Sequence, residues 1–269
     1  MPNVTRLVFD TNVCGRIAAS ETKLDITKHL RREYRIAASA NTIFELLLGV
    51  CRSKDDAFLD SDKERFRIAF GYGALGTATF LDHGLSFALW HGPKLRVAET
   101  STGNRLFGAY TKLVLQAKTL EQLRKTGVRW YGSKGRYLKC DVIEDDIQNG
   151  KLFYSSDIMK PLPDALTWAR DLATVIGLNL KNAQAKTLSD SLDGLYTYER
   201  WLRSAVPSGF DPAKNANDRM DMNQLFYLSD PSVEFITAEV KIRQRIAASP
   251  QAKRVVLLNE LLARHGLSL

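Results

Sequence analysis

The chain has 269 residues, of which 45% are apolar and 25% are charged, values close to those of soluble globular proteins. This length suffices for one large domain or two small ones, and no apolar run reaches the roughly 18 residues that span a bilayer. The composition therefore excludes an integral membrane protein. The net charge of +8 favours a polyanionic partner, nucleic acid before an anionic membrane surface.

Cysteine usage and the N-terminus indicate the compartment. The cysteines are odd in number and far apart in the chain: Cys14, Cys51 and Cys140. They match no zinc-binding spacing and no disulfide framework, which is typical of a reducing cytoplasm. The first apolar run contains Asp10 and does not form the hydrophobic segment of a secretory signal peptide. We therefore predict a cytoplasmic protein.

The histidines show no metal-ligand spacing, and we expect them to be exposed or hydrogen-bonded: His29, His83, His91 and His265.

Strand and helix patterns alternate over the first fifty residues. An apolar strand is predicted at 7–9, helices at 13–19 and 26–33, a short strand at 35–38, and a helix that starts near 43. The last fifty residues repeat this alternation. There we predict helices at 218–228, 240–248 and 259–264 and strands at 233–236 and 254–257, with Gly266 ending the last helix.

This alternation predicts an α/β fold with a central parallel sheet and helices on both faces, in three α-β-α layers. The middle of the chain differs, because its clearest patterns are helical, at 106–125 and 165–178. We therefore predict one domain formed by about residues 1–52 and 189–269, carrying a mostly helical insertion at about 53–188.

Four acidic residues lie where predicted strands end or the following helices begin: Asp10, Glu45, Asp221 and Glu239. Parallel strands end at a shared edge of the sheet, so these carboxylates can meet in one crevice. Each pair then repels by ~1 kcal/mol at 4 Å in water and ~4 kcal/mol at an effective dielectric of 20, so a cluster persists only with a cation. All-oxygen ligands favour Mg²⁺ or Mn²⁺, and such a site in a basic protein suggests phosphodiester hydrolysis.

Each acid also has a structural alternative. Thr42-Ile43-Phe44-Glu45 matches a capping box, in which the glutamate bonds back to the helix start. Asp218, Asp221 and Glu239 lie near helix starts, where the helix dipole favours negative charge. Asp10 could cap the helix that follows it.

The same segments resemble the PIN-domain family of metal-dependent ribonucleases, which includes many bacterial toxin nucleases. The matching segments are residues 7–12 (Leu-Val-Phe-Asp-Thr-Asn), 42–50, 221–228 and 235–239. Asp221 precedes Thr237 by 16 residues and Glu239 by 18, a spacing similar to that of the family's third acid and its Thr-x-Asp element. The resemblance covers about residues 4–52 and 215–260. The chain departs from the family in having Glu239 instead of aspartate and in the long separation between Glu45 and Asp221.

The resemblance implies a PIN-like fold and a site in which Asp10, Glu45, Asp221 and Glu239 are catalytic. Asp10, Asp221 and Glu239 would hold Mg²⁺ or Mn²⁺. Four further residues would support those ligands: Thr11, Asn12 and Thr237 through their side-chain oxygens, and Asp218 as an auxiliary acid. Helix capping is the alternative role for Thr11 and Asn12.

Basic residues interleaved with aromatics predict contacts to unpaired RNA, since cations follow phosphates and rings stack on bases. The candidates are Arg129, Trp130, Lys134, Arg136, Lys241 and Arg243. The alternative is a solvated surface with its aromatic rings buried for area alone. The resulting hypothesis is a Mg²⁺- or Mn²⁺-dependent endoribonuclease with an RNA substrate and an antitoxin-like or other protein partner. Two alternatives are a degenerate PIN-like module that binds RNA or protein, and a structure-specific DNA nuclease.

Overall fold

A four-stranded parallel sheet lies at the centre of the computed structural model, which describes residues 4–72, 81, 84–96, 100–125, 128–129, 137–138, 160–211 and 217–269. The strands in chain order are β1 (Arg6–Phe9), β2 (Arg35–Ala37), β3 (Val128–Arg129), β4 (Tyr137–Leu138), β5 (Val233–Thr237) and β6 (Val255–Leu257). The sheet has the order β2-β1-β5-β6, whereas β3 and β4 form a separate antiparallel pair. Residues from both ends of the chain are therefore neighbours, with Val8 opposite Ala37 on one side and Phe235 on the other.

Helices make up most of the remaining described residues. They are α1 (Thr11–Ala19), α2 (Lys23–Glu33), α3 (Ala40–Arg52), α4 (Leu59–Ala69), α5 (Gly84–His91), α6 (Thr100–Gln116), α7 (Leu120–Lys125), α8 (Ala165–Thr174), α9 (Asn182–Ser191), α10 (Asp193–Ala205), α11 (Asn217–Gln224), α12 (Val240–Arg245) and α13 (Leu258–Arg264). Short 3₁₀ turns extend several of them, including Leu225–Ser229 after α11.

The two faces of the sheet carry separate hydrophobic cores, because successive strand side chains point to opposite faces. Leu7 and Phe9 of β1 pack with helices α1–α4, α6, α7 and α13. Val8 packs on the other face with α5 and α8–α12. Helices therefore cover both faces, and the prediction of an α/β fold with a central parallel sheet is confirmed.

The described parts of the segment 53–188 are mostly helical, apart from the short pair β3 and β4, and its helices contribute to both cores. Phe66 of α4 lies in the core of one face, and Trp168 of α8 lies in the core of the other. The single helix predicted at 106–125 is instead two helices, α6 and α7. The helix predicted to reach residue 178 ends at Thr174, before Gly177 with its positive φ of 75°. Glycine adopts this left-handed backbone without the steric penalty of a side chain, so the chain turns there.

The spacing of the cysteines indicated no disulfide framework, but Cys51 is disulfide-bonded, whereas Cys14 is free and buried. Among the described residues, no helix combines the length and the apolar character needed to cross a bilayer.

Candidate functional site

Asp10 lies at the carboxyl end of β1, and its backbone N–H donates to the Ile236 carbonyl of β5 at 2.8 Å. Its side chain is only 2% exposed. Asp10 occupies the N-cap position of α1, yet its side chain makes no capping hydrogen bond, so the helix-capping alternative is wrong. Thr237 Oγ1 instead donates to Asp10 Oδ2 at 2.9 Å. Burial raises the pKa of the Asp10 carboxyl to about 6, with a further contribution from the charge of Glu239, against the opposing hydrogen bond from Thr237.

Thr237 and Asn12 hold Glu239 beside Asp10. The fully buried Thr237 hydroxyl accepts a hydrogen bond from the Glu239 backbone N–H at 3.1 Å while it donates to Asp10. Asn12 Nδ2 donates to Glu239 Oε1 at 2.7 Å. Glu239 is the N-cap residue of α12, as its predicted place at a helix start implies, but its side chain makes no capping hydrogen bond. β5 and the start of α1 together therefore orient two of the four acids.

Glu45 reaches the same edge from the second turn of α3. The predicted capping box is absent, because Ser39 is the N-cap and its side chain accepts from the Thr42 backbone N–H. Thr42 Oγ1 donates to the Phe9 carbonyl at 2.7 Å, which joins the start of α3 to the end of β1. Glu45 Oε2 accepts a hydrogen bond from Thr11 Oγ1. Burial first, and then the charge of Asp10, raise the pKa of Glu45 to about 8.

Asp221 comes from α11, which is locked against the start of α3. The side chain of the fully buried Gln224 accepts from Ser39 Oγ at 2.7 Å and donates to Thr42 Oγ1 at 3.0 Å. This arrangement directs Asp221, one turn earlier, toward Asp10 and Glu45. Burial and the charge of Asp10 raise the pKa of Asp221 to about 7.

Lys241, predicted to contact RNA, lies among the acids. Its ammonium Nζ is 2.7 Å from Glu239 Oε2, 3.3 Å from Asp218 Oδ1 and 3.4 Å from Asp221 Oδ2. Burial disfavours its charged form, but the hydrogen bond to Glu239 and the charges of the acids outweigh that effect and raise the pKa of Lys241. Lys241 is therefore a cation held by the acid cluster itself.

Asp218 is paired with two cations, Lys241 and Arg245. Arg245 Nη1 lies 3.0 Å from Asp218 Oδ2, and the same guanidinium stacks over the Trp201 ring at 4.0 Å. Asp218 is 4% exposed and partly neutralised on both sides by Arg245 and Lys241. It therefore connects the site to the Arg245–Trp201 stack.

Of the other predicted RNA contacts, the structure describes Arg243 and Arg129. Arg243 forms a two-pronged ion pair with Glu260 at 2.7 and 2.9 Å, on α13 and away from the acids. Arg129 belongs to strand β3. Trp130, Lys134 and Arg136 lie outside the described residues.

Sequence reasoning missed residues that position the site. These residues are the buried polar side chains of Ser39, Thr42 and Gln224. In the sequence, the feature that could have indicated them is a polar residue next to apolar residues of a predicted helix. Asn41 was also missed. It lies one turn before Glu45, is 9% exposed, and its Nδ2 has no hydrogen-bond partner among the described residues. A buried donor without a partner is costly, so Asn41 is suited to a ligand that supplies an acceptor.

The acid cluster is more open than a closed metal site. Within the described ranges, no three of its carboxylates bring oxygen atoms within 4.8 Å of one another. Lys241 contacts three carboxylates across this space. The donor set nevertheless fits a hard divalent cation, because every carboxylate donor is an oxygen. Burial first, and then the charges of neighbouring acids, raise the pKa values of Asp10, Glu45 and Asp221, and a cation would favour their ionised forms. Such an ion would compete with Lys241 for the same oxygens.

Comparison of the chain with protein-family models, with curated proteins and with solved structures finds no match.

Proposed function

We propose that the chain is a Mg²⁺- or Mn²⁺-dependent endoribonuclease of PIN-like fold that hydrolyses RNA phosphodiester bonds at Asp10, Glu45, Asp221 and Glu239. One observation carries the proposal. Acids from both ends of the chain lie at one sheet edge, where hydrogen bonds hold Asp10, Glu45 and Glu239 and an ion pair with Lys241 holds Asp221. Burial and the neighbouring acids raise the pKa values of Asp10, Glu45 and Asp221, and a bound cation would favour their ionised forms.

Each residue of the cluster has a role that follows from its contacts. Asp10, Asp221 and Glu239 would hold the ion, which when bound lowers the pKa of an attacking water and stabilises the leaving oxygen. Thr237 keeps the Asp10 carboxylate turned toward Glu239. Glu45, fixed by Thr11 through one oxygen, would accept the proton of the attacking water with the other.

Two nitrogen donors would contact the phosphate. The Asn41 amide is buried one turn from Glu45 and has a hydrogen to donate. Lys241, released from the acids when a divalent ion takes its place, would pair with a phosphate oxygen. The overall charge of +8 supports a polyanionic substrate.

A second candidate function is an RNA- or protein-binding module without cleavage, such as the partner of an antitoxin-like protein. Lys241 favours it, because an ammonium that neutralises Glu239, Asp221 and Asp218 reduces the need for a metal. The two functions differ in one measurable property, since the binding module would not require Asp10 to take up Mn²⁺.

The test combines cleavage and metal binding in the full chain. Folded RNA, single-stranded RNA, single-stranded DNA and flap DNA are incubated with Mg²⁺, Mn²⁺ or EDTA. We expect metal-dependent cleavage of RNA, and its loss in Asp10→Asn and in Asp221→Asn. Asp25→Asn, at an exposed site on α2, is the matched control and should cleave like the wild type. Cleavage retained in both site variants would overturn the proposal, and preferential cleavage of flap DNA would identify a DNA nuclease instead.

Calorimetric titration with Mn²⁺ separates the enzyme from the binding module. The enzyme should show saturable binding that is lost in Asp10→Asn, whereas the binding module should show none that depends on Asp10. Far-ultraviolet circular dichroism confirms that each variant is folded. Asparagine can still accept the Thr237 hydrogen bond, so we expect Asp10→Asn to fold normally.

A further inference from the structure

Two histidines and a glutamate meet at the edge of the sheet opposite the acid cluster. His29 and Glu33 lie one turn apart on α2, and His265 follows α13, 236 residues from His29. α2 ends just before β2 begins, and Arg264, next to His265, is 3.4 Å from Glu234 near the start of β5. The three side chains therefore lie at the amino edge of the sheet.

Their ligand atoms converge. His29 Nε2 is 3.8 Å from Glu33 Oε1, and His265 Nδ1 is 3.9 Å from Glu33 Oε2. One donor atom from each of the three side chains lies within 4.8 Å of the other two. Among the described residues, no other three metal-ligating side chains meet this closely. Zinc binds nitrogen at about 2.0–2.1 Å, which separates tetrahedral ligands by about 3.4 Å. The three donor atoms lie within 4.8 Å of one another, so tetrahedral coordination needs inward shifts of up to about 1.4 Å, to which the half-exposed Glu33 side chain can contribute.

A hydrogen bond orients His265 for such a role. Tyr34 OH lies 3.1 Å from His265 Nε2, and the Tyr34 ring meets the imidazole edge-on with ring centres 5.5 Å apart. In the tautomer in which Nε2–H donates to the hydroxyl, the Nδ1 lone pair faces Glu33. Histidines that bind metals characteristically carry this kind of outer hydrogen bond, which sets the tautomer and fixes the ring. The His29 ring lies against His265 with centres 5.2 Å apart.

We propose that His29, Glu33 and His265 form a second metal site, one that takes Zn²⁺ or a similar borderline transition ion. Two imidazoles and one carboxylate match the ligand set of zinc sites that leave a fourth position to water. Water has access, because the His29 side chain is 35% exposed and that of Glu33 is 54% exposed. The donor set also differs from the all-oxygen cluster, so the two sites select different ions.

A bound ion would fasten α2 to the C-terminal segment. Within the described structure these segments also meet where Thr22 Oγ1 donates to the Ser268 carbonyl at 3.3 Å. Any ligand that binds the folded chain and not the unfolded chain raises its stability. An ion bound here would therefore stabilise the joint between α2 and the segment that follows α13.

The test uses Zn²⁺ and Co²⁺ with the full chain freed of metal by EDTA and desalting. We expect one saturable Zn²⁺ equivalent that survives in Asp221→Asn and in excess Mg²⁺, and visible Co²⁺ absorption typical of tetrahedral coordination. His29→Gln and His265→Gln should each weaken Zn²⁺ binding at least about tenfold, and Tyr34→Phe about tenfold by loosening His265. Glu33→Gln should also weaken it, whereas Glu21→Gln, an exposed matched control, should not.

Two further measurements keep the result interpretable. Zn²⁺ should raise the thermal midpoint of the wild type and of Asp221→Asn but not of His265→Gln, with circular dichroism showing that all variants fold. Zn²⁺ binding unchanged in both histidine variants, or abolished by Asp221→Asn, would overturn the proposal. In those cases His29, Glu33 and His265 form no more than weak surface ion pairs. Failure here leaves the nuclease proposal untouched, because that proposal depends on residues at the other edge.

Discussion

The two edges of the central sheet differ in chemistry although the same parallel topology builds both. At the carboxyl edge, Asp10 is buried, Glu239 is partly exposed, and the carboxylate donors are all oxygens. At the amino edge, residues from the ends of α2 and α13 are more exposed and two of the three donors are nitrogens. The parallel strands bring side chains together at both edges of the sheet. The donor atoms at each edge then determine which metal ion that edge favours.

The largest expected effect is that variants at the carboxyl edge lose RNA cleavage only, and variants at the amino edge lose Zn²⁺ binding only. Asp10→Asn or Asp221→Asn should abolish RNA cleavage without weakening Zn²⁺ binding, because these side chains lie at the carboxyl edge. His265→Gln should lose Zn²⁺ and keep cleavage under conditions where the wild type is fully folded. Cleavage assays and Zn²⁺ titrations of the same preparations measure both. A single variant that eliminates both activities while remaining folded would mean that the edges do not act separately.

The next largest effect expected is a dependence of the thermal midpoint on pH that arises at the carboxyl edge. The pKa values of Asp10, Asp221 and Glu45 are raised to about 6, 7 and 8, so the folded chain holds these protons more tightly than the unfolded chain. Their stabilising contribution is complete below ordinary carboxyl values and is lost as pH rises through the folded values. In EDTA, the thermal midpoint should therefore fall from about pH 5 to about pH 8.

Adding Mn²⁺ or removing one carboxylate charge should each reduce this loss of thermal midpoint at high pH. Mn²⁺ at about pH 8 should restore the midpoint, since a cation offsets the repulsion between ionised carboxylates. Asp10→Asn should flatten the profile, whereas Asp25→Asn should follow the wild type. A midpoint that rises steadily to pH 8 in EDTA would contradict the electrostatic description of the carboxyl edge.

Thr237→Val should destabilise the carboxyl edge by about 1–3 kcal/mol, because it leaves a buried carboxylate and the Glu239 backbone N–H without their shared partner. Each kcal/mol corresponds to roughly 2–4 °C in the thermal midpoint for a chain of this size class. Thr27→Val is the matched control, since its buried hydroxyl bonds only a carbonyl of its own helix at 2.8 Å. Equal midpoints for the two variants would mean that Thr237 does not hold the acids.

Lys241→Met should tighten Mn²⁺ binding about tenfold, equivalent to about 1.4 kcal/mol, because it removes a cation that competes for Glu239, Asp221 and Asp218. The same substitution should weaken RNA binding through the lost phosphate contact. Arg243→Met, on the same helix but paired with Glu260, should leave Mn²⁺ affinity unchanged. Calorimetry measures both, and weaker Mn²⁺ binding in Lys241→Met would show that the lysine supports the site and does not compete with the metal.

Local patterns predicted the elements at both ends of the chain well. The strands and helices around Asp10, Asp221 and Glu239 lie within a few residues of their predicted bounds, because apolar periodicity and turn residues act locally. The capping role proposed for Glu45 was wrong because Ser39, six residues before Glu45, caps α3, and Glu45 instead bonds Thr11. Lys241 was expected to contact RNA, but nothing local indicates that three carboxylates surround it.

The amino acid sequence by itself determined the strands, the helices and the acids that follow strand ends, since backbone preference and burial depend on neighbours in the chain. Tertiary structure decided which side chains meet. It placed Lys241 between Glu239 and Asp221, and Gln224 against Ser39 and Thr42. It also brought His265 to His29 across 236 residues, where the spacing of the histidines had indicated no metal site. Such contacts depend on strand order and helix packing, which no local pattern encodes.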